Sequence, residues 1–331
     1  MSILNVFNYT LILFLIRIAA FICYTVYMRE QSNILAVENL SKAFDGKKAV
    51  DDLSFVVQSG SLFAFLGQNG AGKSTTINML IGLLKKDGGR VLYDGSPDFA
   101  AFKNQIGVVF QNNVFDDLLT VEENLKLYGA LYLSDPKAVK SRLAEISALL
   151  SLSEFSKKKF KTLSGGQKRK AEIARALFTS PRLLFLDEPT TGLDPKTRAE
   201  VWSVLHNVRR ETDMTVFLTT HYMEETAEAD RVVIIHRGRL ICEGSPAELK
   251  ARYSHDRLLI TPADAAALEK ALRAKDLPFE KTADTYAVRI DDAKQSIEFL
   301  HTLKDNIRFY EVKKGTMDDV FLTAVGEVLS I

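Results

Sequence analysis

The chain has 331 residues and a mass of 37.0 kDa, with 47% hydrophobic and 26% charged residues. These proportions are typical of a globular protein of about two domains, and they exclude a disordered chain, a coiled coil and a polytopic membrane protein. The 43 basic and 42 acidic residues leave a net charge of +1, which gives no reason to expect nucleic acid or acidic lipid as a partner.

Residues 1–30 read as an apolar N-terminal extension or anchor. Arg17 is the only charged residue among residues 1–28, and the apolar run from Leu11 to Met28 is just long enough to cross a membrane as a helix. A charge at the centre of such a helix opposes insertion by about 2.5–3.5 kcal/mol. The sequence leaves three interpretations: translation that starts at Met28, a membrane anchor, or an amphipathic segment on a membrane or partner surface.

Short apolar strands alternate with helical patterns over residues 31–250, which predicts an α/β domain. Two early strands flank a turn at Asp45 and Gly46. Two later strands, RLLFLDEP and TVFLTTH, lack polar alternation, which is typical of a parallel sheet buried on both faces. Thr120 and Glu123 have the spacing of a capping box and predict the start of a helix. The segment RVVIIHRGRLICEG predicts a closing hairpin.

A second, smaller domain is predicted for residues 256–331, after a helix and a linker near residues 245–256. Its patterns follow the order βαββαβ, with the first helix from Ala263 to Lys275. That order is the one found in the ferredoxin-like α+β unit. A final helix is predicted for TMDDVFLTAVG. We therefore expect a C-terminal accessory domain of this class.

The segment GQNGAGKST fits the pattern G-x-x-x-x-G-K-[ST] and lies between a predicted strand and a predicted helix. Its glycines let the backbone approach phosphate oxygens, and the helix N-terminus adds a positive end. We expect Lys73 to neutralise the β- and γ-phosphates and Ser74 to bind Mg²⁺. The predicted nucleotide-binding residues of this phosphate loop are Gly67, Gln68, Asn69, Gly70, Ala71, Gly72, Lys73, Ser74 and Thr75.

Two acidic residues, Asp187 and Glu188, end the apolar strand RLLFLDEP. Ligands of open α/β sheets bind at the carboxyl ends of the strands. Asp187 is therefore expected to hold Mg²⁺, directly or through water. Glu188 is expected to polarise the attacking water, as a general base that contributes about 10²–10⁴-fold.

A third motif, TLSGGQKRKAEIARAL, lies between these two in the sequence. Ser164, Gly165 and Gly166 stand at the predicted start of a helix, where a hydroxyl and free N–H groups can bind an anion. The LSGGQ text, which ends in Gln167, resembles the signature motif of the ABC ATPases. In that family this site faces the γ-phosphate of ATP held by the opposite subunit. The resemblance thus implies two copies paired head to tail around two ATP molecules.

Four further residues match other motifs of that family, in the family's order. Phe44 corresponds to the aromatic residue that stacks on adenine, where the family usually has a tyrosine, so the resemblance implies stacking without the hydroxyl contact. Gln111 resembles the glutamine that touches Mg²⁺ or water and couples to the membrane subunit. Asp194 matches the aspartate that communicates across the dimer, and His221 matches the histidine that contacts the γ-phosphate. The resemblance covers residues 33–250 and implies an ABC-type P-loop ATPase domain.

Several kinds of ABC ATPase fit the sequence poorly. The chain carries one motif set rather than two, and no long coiled coil separates the phosphate loop from the signature motif. Its two cysteines cannot supply the zinc sites of the excision-repair relative. The βαββαβ pattern also differs from the barrels that end sugar-importer ATPases. The basic residues around LSGGQ could indicate nucleic-acid binding, but a position beside a triphosphate site explains their charge more simply. No nucleic acid is therefore expected as a partner.

The remaining features resemble the drug- and polysaccharide-exporter branch of the family. The resemblance implies an ATP-hydrolysing subunit that uses ATP and Mg²⁺, forms a homodimer and lies at the cytoplasmic face of the cell membrane under a separate integral membrane permease. The transported substrate is not named by the sequence, because specificity resides in the permease. The alternative is a soluble ABC ATPase clamp that acts on a macromolecular partner.

Overall fold

The computed structural model describes residues 32–275, 277–290 and 293–329. The predicted extension or anchor at residues 1–30 lies outside them. Within the described ranges, no helix combines the length and the apolar character needed to cross a membrane. The strands are β1 (Asn33–Phe44), β2 (Lys47–Gln58), β3 (Leu62–Leu66), β4 (Gly88–Tyr93), β5 (Ile106–Val109), β6 (Leu183–Asp187), β7 (Thr215–Thr220), β8 (Arg231–His236), β9 (Arg239–Gly244), β10 (Asp256–Pro262), β11 (Phe279–Thr282), β12 (Thr285–Ile290) and β13 (Ile307–Lys313).

The described helices alternate with these strands along most of the chain. Short 3₁₀ helices at 103–105, 152–154, 160–162, 223–228 and 304–306 connect some of them. The α-helices are α1 (Lys73–Leu80), α2 (Phe99–Phe102), α3 (Val121–Ala130), α4 (Pro136–Leu149), α5 (Gly165–Ala176), α6 (Pro195–Thr212), α7 (Pro246–Tyr253), α8 (Ala265–Ala274), α9 (Ala293–Leu303) and α10 (Met317–Leu329).

The described residues form two compact units. The first contains residues 32–221 and 235–240, and the second contains residues 222–234 and the described part of 241–329. The predicted α/β class with a C-terminal α+β domain is confirmed by the sheets described below.

A parallel sheet is the centre of the first unit. Within this unit the strand order is β5-β6-β7-β3, and the pairs β5–β6, β6–β7 and β7–β3 are parallel. Every residue of β3, β6 and β7 is buried, which confirms the burial predicted for β6 and β7 from their apolar sequences. The rings of Phe63 and Phe185 each lie against Phe217, with centroids 5.1 and 5.2 Å apart. This apolar layer fixes the register that brings the carboxyl ends of these strands to one edge.

An antiparallel sheet of order β2-β1-β4 completes the strands of this unit. The predicted turn between β1 and β2 is present, with positive φ at Asp45 (46°) and Gly46 (77°), as in the turns that favour hairpins. The sequence patterns do not predict β4 or β5. Both strands are short, and glycines at positions 88, 89 and 107 weaken their β propensity.

The second unit contains a four-stranded antiparallel sheet with the order β11-β12-β10-β13. Together with α8 and α9, these strands follow the chain order βαββαβ, which confirms the predicted ferredoxin-like arrangement. Helix α8 starts two residues later than predicted, because the Asp264 side chain caps it by accepting from the N–H groups of Ala266 and Ala267. The buried core consists of Leu258, Ile260, Leu268, Leu272, Tyr286, Val288, Ile290, Phe299 and Leu303.

Removal of the Leu272 side chain is expected to destabilise this second unit. Leu272 is 0% exposed, and Leu→Ala at such sites lowers the free energy of unfolding by about 2–5 kcal/mol. Hydrogen exchange of peptides from β10 to β13 in increasing denaturant measures the loss. Ile297→Ala on α9 is the matched control, because Ile297 is 67% exposed and its loss is expected to change stability by less than about 0.5 kcal/mol. Equal effects of the two variants would contradict the assigned core.

Candidate active site

The phosphate loop connects the end of β3 to the start of α1, as the sequence predicts. Gly72 caps α1 with a φ of 107°, and a Cβ atom there would lie 2.5 Å from the carbonyl oxygen of Ala49. A Cβ atom on Gly67 would lie 2.9 Å from both Cγ1 and the carbonyl oxygen of Ile235. Both positions therefore require glycine for backbone packing, in addition to any approach of a phosphate.

The outer part of the loop faces solvent. Gln68, Asn69 and Gly70 are exposed, whereas Ala71 and Gly72 are buried. The φ of Gly70 is 78°, a left-handed conformation that glycine adopts without strain. Ser74 and Thr75, in the first turn of α1, are half-buried. The exposed rim leaves backbone groups of the loop accessible to a ligand.

Lys73 points back into the loop. Its Nζ donates hydrogen bonds to the carbonyl oxygens of Gly67 (2.8 Å) and Gln68 (3.2 Å). The same Nζ lies 2.9 Å from Oε1 of Glu188, and the two side chains are only 4% and 7% exposed. The two groups expected to act on phosphate and on water are therefore paired with each other in this structure.

Asp187 lies beside Ser74 at the end of β6. Its Oδ1 accepts a short hydrogen bond from Oγ1 of Thr219 (2.6 Å) and a longer one from Oγ of Ser74 (3.3 Å). Thr219 lies opposite Asp187 in the β6–β7 register. The structure thus brings together Ser74 and Asp187, two of the three residues expected at Mg²⁺, and Thr219 orients the carboxylate. The third, Gln111, has its Nε2 3.5 Å from Oε2 of Glu188.

Glu188 has an unusual backbone conformation for a residue with a side chain. Its φ is 46°, in the left-handed region, where a non-glycine residue is strained. Its N–H group donates to Oγ1 of Thr219 (3.0 Å) and to the carbonyl oxygen of Thr219 (3.2 Å). These bonds hold the strained turn, which directs the carboxylate toward Lys73 rather than along the strand.

The surroundings of Glu188 keep its carboxyl group ionised. Burial alone raises the pKa of this group, but the hydrogen bond and charge of Lys73, a hydrogen bond from Thr191 and the charge of His221 outweigh burial and hold the pKa below its usual value. Nδ1 of His221 lies 3.2 Å from Oε2 of Glu188, and Nε2 of Gln111 lies 3.5 Å from the same oxygen. An ionised carboxylate is the form that a general base requires.

Ser164 and Asp194 do not hydrogen-bond to Lys73, Asp187 or Glu188 in the described hydrogen bonds. Each caps the start of the helix that follows it. Oγ of Ser164 accepts from the N–H of Gln167 (3.3 Å), and Oε1 of Gln167 accepts from the N–H of Ser164 (3.2 Å), which makes a capping box for α5. Oδ1 of Asp194 accepts from the N–H of Thr197 (3.1 Å) and caps α6. These side chains support local helix starts in this structure.

Phe44 stands at the end of β1 and is 47% exposed. The Nζ of Lys42 lies 5.5 Å from the centroid of its ring. The ring is therefore accessible to solvent, as stacking on a planar ligand requires.

The two signature glycines, Gly165 and Gly166, have a packing role that the sequence motif does not reveal. A Cβ atom on Gly166 would lie 2.4 Å from Cγ2 of Thr197, and one on Gly165 would lie 2.9 Å from Cδ2 of Leu193. The segment that leads into α6 therefore packs closely on the start of α5, and a side chain at position 166 would require Thr197 to move. This packing joins the signature motif to the segment that contains Asp194.

Two further residues of the site were not predicted. Thr219 is a polar residue near the end of a buried strand, and that position was the signal that could have found it. Arg169 lies in the basic segment after LSGGQ, where the sequence pattern indicates only local positive charge. The structure buries it, and its Nη1 donates to the carbonyl oxygen of Phe110 at 2.7 Å. No sequence pattern distinguishes Arg169 from its basic neighbours.

Known proteins resemble this chain over most of its length. The ABC transporter family model matches residues 50–191, and the model described as ATP-binding protein DrrA1-3-like, C-terminal domain, matches residues 244–325. The chain is 36% identical over 310 residues to the daunorubicin/doxorubicin resistance ATP-binding protein DrrA of Streptomyces peucetius, which covers 90% of this chain and 94% of that protein. The chain belongs to the ABC transporter family.

Other ABC proteins give the same assignment. The Nod factor export ATP-binding protein I of Burkholderia lata is 34% identical over 293 residues, or 87% of this chain and 95% of that protein. The solved structure of CbiO1 from Clostridium perfringens, part of an ABC transporter complex, superimposes with a TM-score of 0.62 at 29% identity, over 67% of this chain and 92% of that one. This chain is therefore an ABC ATP-binding subunit, an ATPase coupled to transport.

Proposed function

We propose that this ABC subunit hydrolyses Mg²⁺-bound ATP at the phosphate loop and thereby powers export through a separate membrane permease. The observation that carries the proposal is the convergence at one sheet edge of Lys73, Ser74, Asp187 and Glu188. A lysine, a hydroxyl, a carboxylate and an ionised base are the groups that phosphoryl transfer to water needs.

The donor set at this edge suits magnesium. Mg²⁺ prefers hard oxygen ligands, and Ser74, Asp187 and the amide oxygen of Gln111 are such ligands, with Oγ of Ser74 already 3.3 Å from Oδ1 of Asp187. When bound, the ion supplies charge neutralisation at the β- and γ-phosphates.

The protein's own groups do the rest of the chemistry. Because Lys73 is paired with Glu188 in this structure, phosphate must replace the carboxylate as the partner of the lysine. That exchange frees Glu188 to accept a proton from the attacking water. His221, which lies beside the same carboxylate, is placed to contact the γ-phosphate.

A second copy completes the site. Ser164, Gly165 and Gln167 lie at the accessible N-terminal end of α5, whose positive end favours an anion. A head-to-tail homodimer would present this end, with Asp194 nearby, to the γ-phosphate held by the other copy. The local capping bonds of Ser164 would then compete with the phosphate contact.

The names of two relatives support export as the direction of transport. One is a resistance protein for daunorubicin and doxorubicin, and another is a Nod factor export protein, and each aligns over most of its length. We therefore place this subunit at the cytoplasmic face of the cell membrane, beneath a permease that determines the cargo.

Affinity purification of the tagged chain from its native membranes tests the assignment, with mass spectrometry of the chain and its companions. A co-purifying membrane permease is the expected result. A companion that is a macromolecular complex without membrane segments would instead favour the ABC clamp. The mass of the intact chain would also show whether it begins at Met1 or near Met28.

Replacement of Phe44 by alanine is expected to weaken ATP binding and to leave the affinity for inorganic phosphate unchanged. Stacking of a base on an aromatic ring contributes about 1–3 kcal/mol, so the Kd for ATP should rise about 5- to 150-fold. Phe44→Tyr is the matched control and should bind ATP at least as tightly as the unmodified chain. Fluorescence titration with ATP measures both, and an unchanged Kd for Phe44→Ala would exclude stacking at this position.

A further inference from the structure

Glu172 is a buried carboxylate that the proposed hydrolysis does not use. It lies in the middle of α5 and is 1% exposed. An ionised carboxylate is costly to bury unless it is paired and hydrogen-bonded. The hydrogen-bond partners of Glu172 therefore indicate which part of the structure this charge stabilises.

Both oxygens of Glu172 are hydrogen-bonded. Oε1 accepts from the backbone N–H groups of Val114 (2.7 Å) and Phe115 (3.2 Å). Oε2 accepts from Nε of Arg175 at 2.9 Å, and Arg175 also donates to a carbonyl oxygen of β5. Val114 and Phe115 belong to the loop of residues 111–119, which contains no helix or strand. Glu172 thus supplies acceptors that regular secondary structure does not provide there.

Arg169, one turn earlier on α5, holds the start of the same loop. Its Nη1 donates to the carbonyl oxygen of Phe110 (2.7 Å), and its Nη2 lies 3.4 Å from the carbonyl oxygens of both Gln111 and Glu188. Burial lowers the pKa of Arg169, while the nearby charge of Glu172 raises it. A guanidinium stays protonated under these conditions, so α5 holds the loop with one cation and one anion.

Gln111 lies between Phe110, which Arg169 holds, and Val114, which Glu172 holds, and its Nε2 lies 3.5 Å from Oε2 of Glu188. We propose that Glu172 is a positioning residue for Gln111: it fixes the loop backbone at Val114 and Phe115 and so holds the amide at the carboxylate that acts on water. This inference rests on the proposed hydrolysis at Glu188. It assigns Glu172 no contact with ATP.

The first test uses the full chain without nucleotide. Glu172→Ala is expected to remove the hydrogen-exchange protection of the Val114 and Phe115 amides, because their acceptor is lost. Protection that stays unchanged would overturn the proposal at once. Glu145→Ala is the matched control, because Glu145 also pairs with an arginine three residues away, but its side chain is 65% exposed. It should leave exchange at both amides as it is.

The second test measures turnover. Glu172→Ala should lower kcat about 10–100-fold, as loss of a residue that orients a reacting group does, while KM for ATP stays within about twofold because the phosphate loop is untouched. If Glu172 acts through Gln111, the double variant Glu172→Ala with Gln111→Ala should be no slower than Gln111→Ala alone. Multiplicative losses in the double variant would show that Glu172 acts by another route and would overturn the proposal.

Failure of this inference can be distinguished from failure of the proposed function. If the unmodified chain hydrolyses no ATP, the proposed function fails, while the exchange experiment still tests the contacts of Glu172. If Glu172→Ala does not fold, judged by circular dichroism, Glu172→Leu takes its place in both tests. It keeps the approximate volume of the side chain but offers no acceptor to the loop or to Arg175. An unchanged kcat for that folded variant counts against the proposal.

Discussion

Replacing Lys73 with alanine is expected to weaken ATP binding severely and to abolish ATP turnover. The ammonium group is the cation of the phosphate loop and is only 4% exposed, so water cannot replace it as a partner of phosphate. Truncation of one partner of a buried, hydrogen-bonded charge pair costs about 2–5 kcal/mol, which corresponds to about 30- to 5,000-fold in Kd. Calorimetric titration with ATP and a phosphate-release assay measure the two effects.

The same variant changes the protein without nucleotide. Glu188 would lose its buried cation, and the remaining effect of burial would raise the pKa of its carboxyl group. A thermal unfolding curve must therefore accompany the binding data, so that loss of binding is not confused with loss of fold. Lys126→Ala is the control, because Lys126 forms an exposed ion pair with Glu122 on α3. Near-normal turnover of Lys73→Ala would contradict the assigned phosphate site.

Replacing Glu188 with glutamine is expected to preserve ATP binding and to abolish most turnover. The amide keeps the shape of the side chain but cannot accept a proton from water, so kcat should fall about 10²–10⁴-fold. The structure adds an expectation about affinity. Glu188 competes with phosphate for Lys73, and a neutral amide competes less, so ATP should bind at least as tightly as in the unmodified chain.

This variant should also accumulate as an ATP-bound dimer, because the step that reopens the dimer is blocked. Size-exclusion chromatography with light scattering, with and without ATP and Mg²⁺, measures the change in mass. Glu200→Gln on α6 is the control, since Glu200 is exposed and lies 3.5 Å from Nζ of Lys170. A Glu188→Gln chain that binds ATP and stays monomeric would argue against the paired-site arrangement.

Local chemistry made much of the fold predictable from the sequence. The capping box at Thr120 and Glu123, the turn at Asp45 and Gly46, and the buried strands of the parallel sheet were predicted and are present. Each depends on residues within a few positions of one another. Strands β4 and β5 escaped prediction because their pairing with distant strands, rather than their own propensity, determines them.

Part of the site was also predictable, because its motifs are local in the sequence. The phosphate loop and the pair Asp187 and Glu188 could be read from the sequence, because phosphate binding needs a particular order of residues at the end of a strand. The position of Ser74 next to Asp187 followed only from the strand order, since the two residues are 113 positions apart. The supporting residue Thr219 became visible only when the register placed it opposite Asp187.

The sequence by itself thus determined the family and the fold class, and it predicted most of the residues expected to act on nucleotide, because local patterns and contiguous motifs carry those features. Only the tertiary structure decided that Lys73 is paired with Glu188, that the glycines after Ser164 make room for α6, and that Glu172 holds the loop after β5. These contacts join segments far apart in the chain. Their geometry depends on strand register and helix packing, which no local pattern encodes.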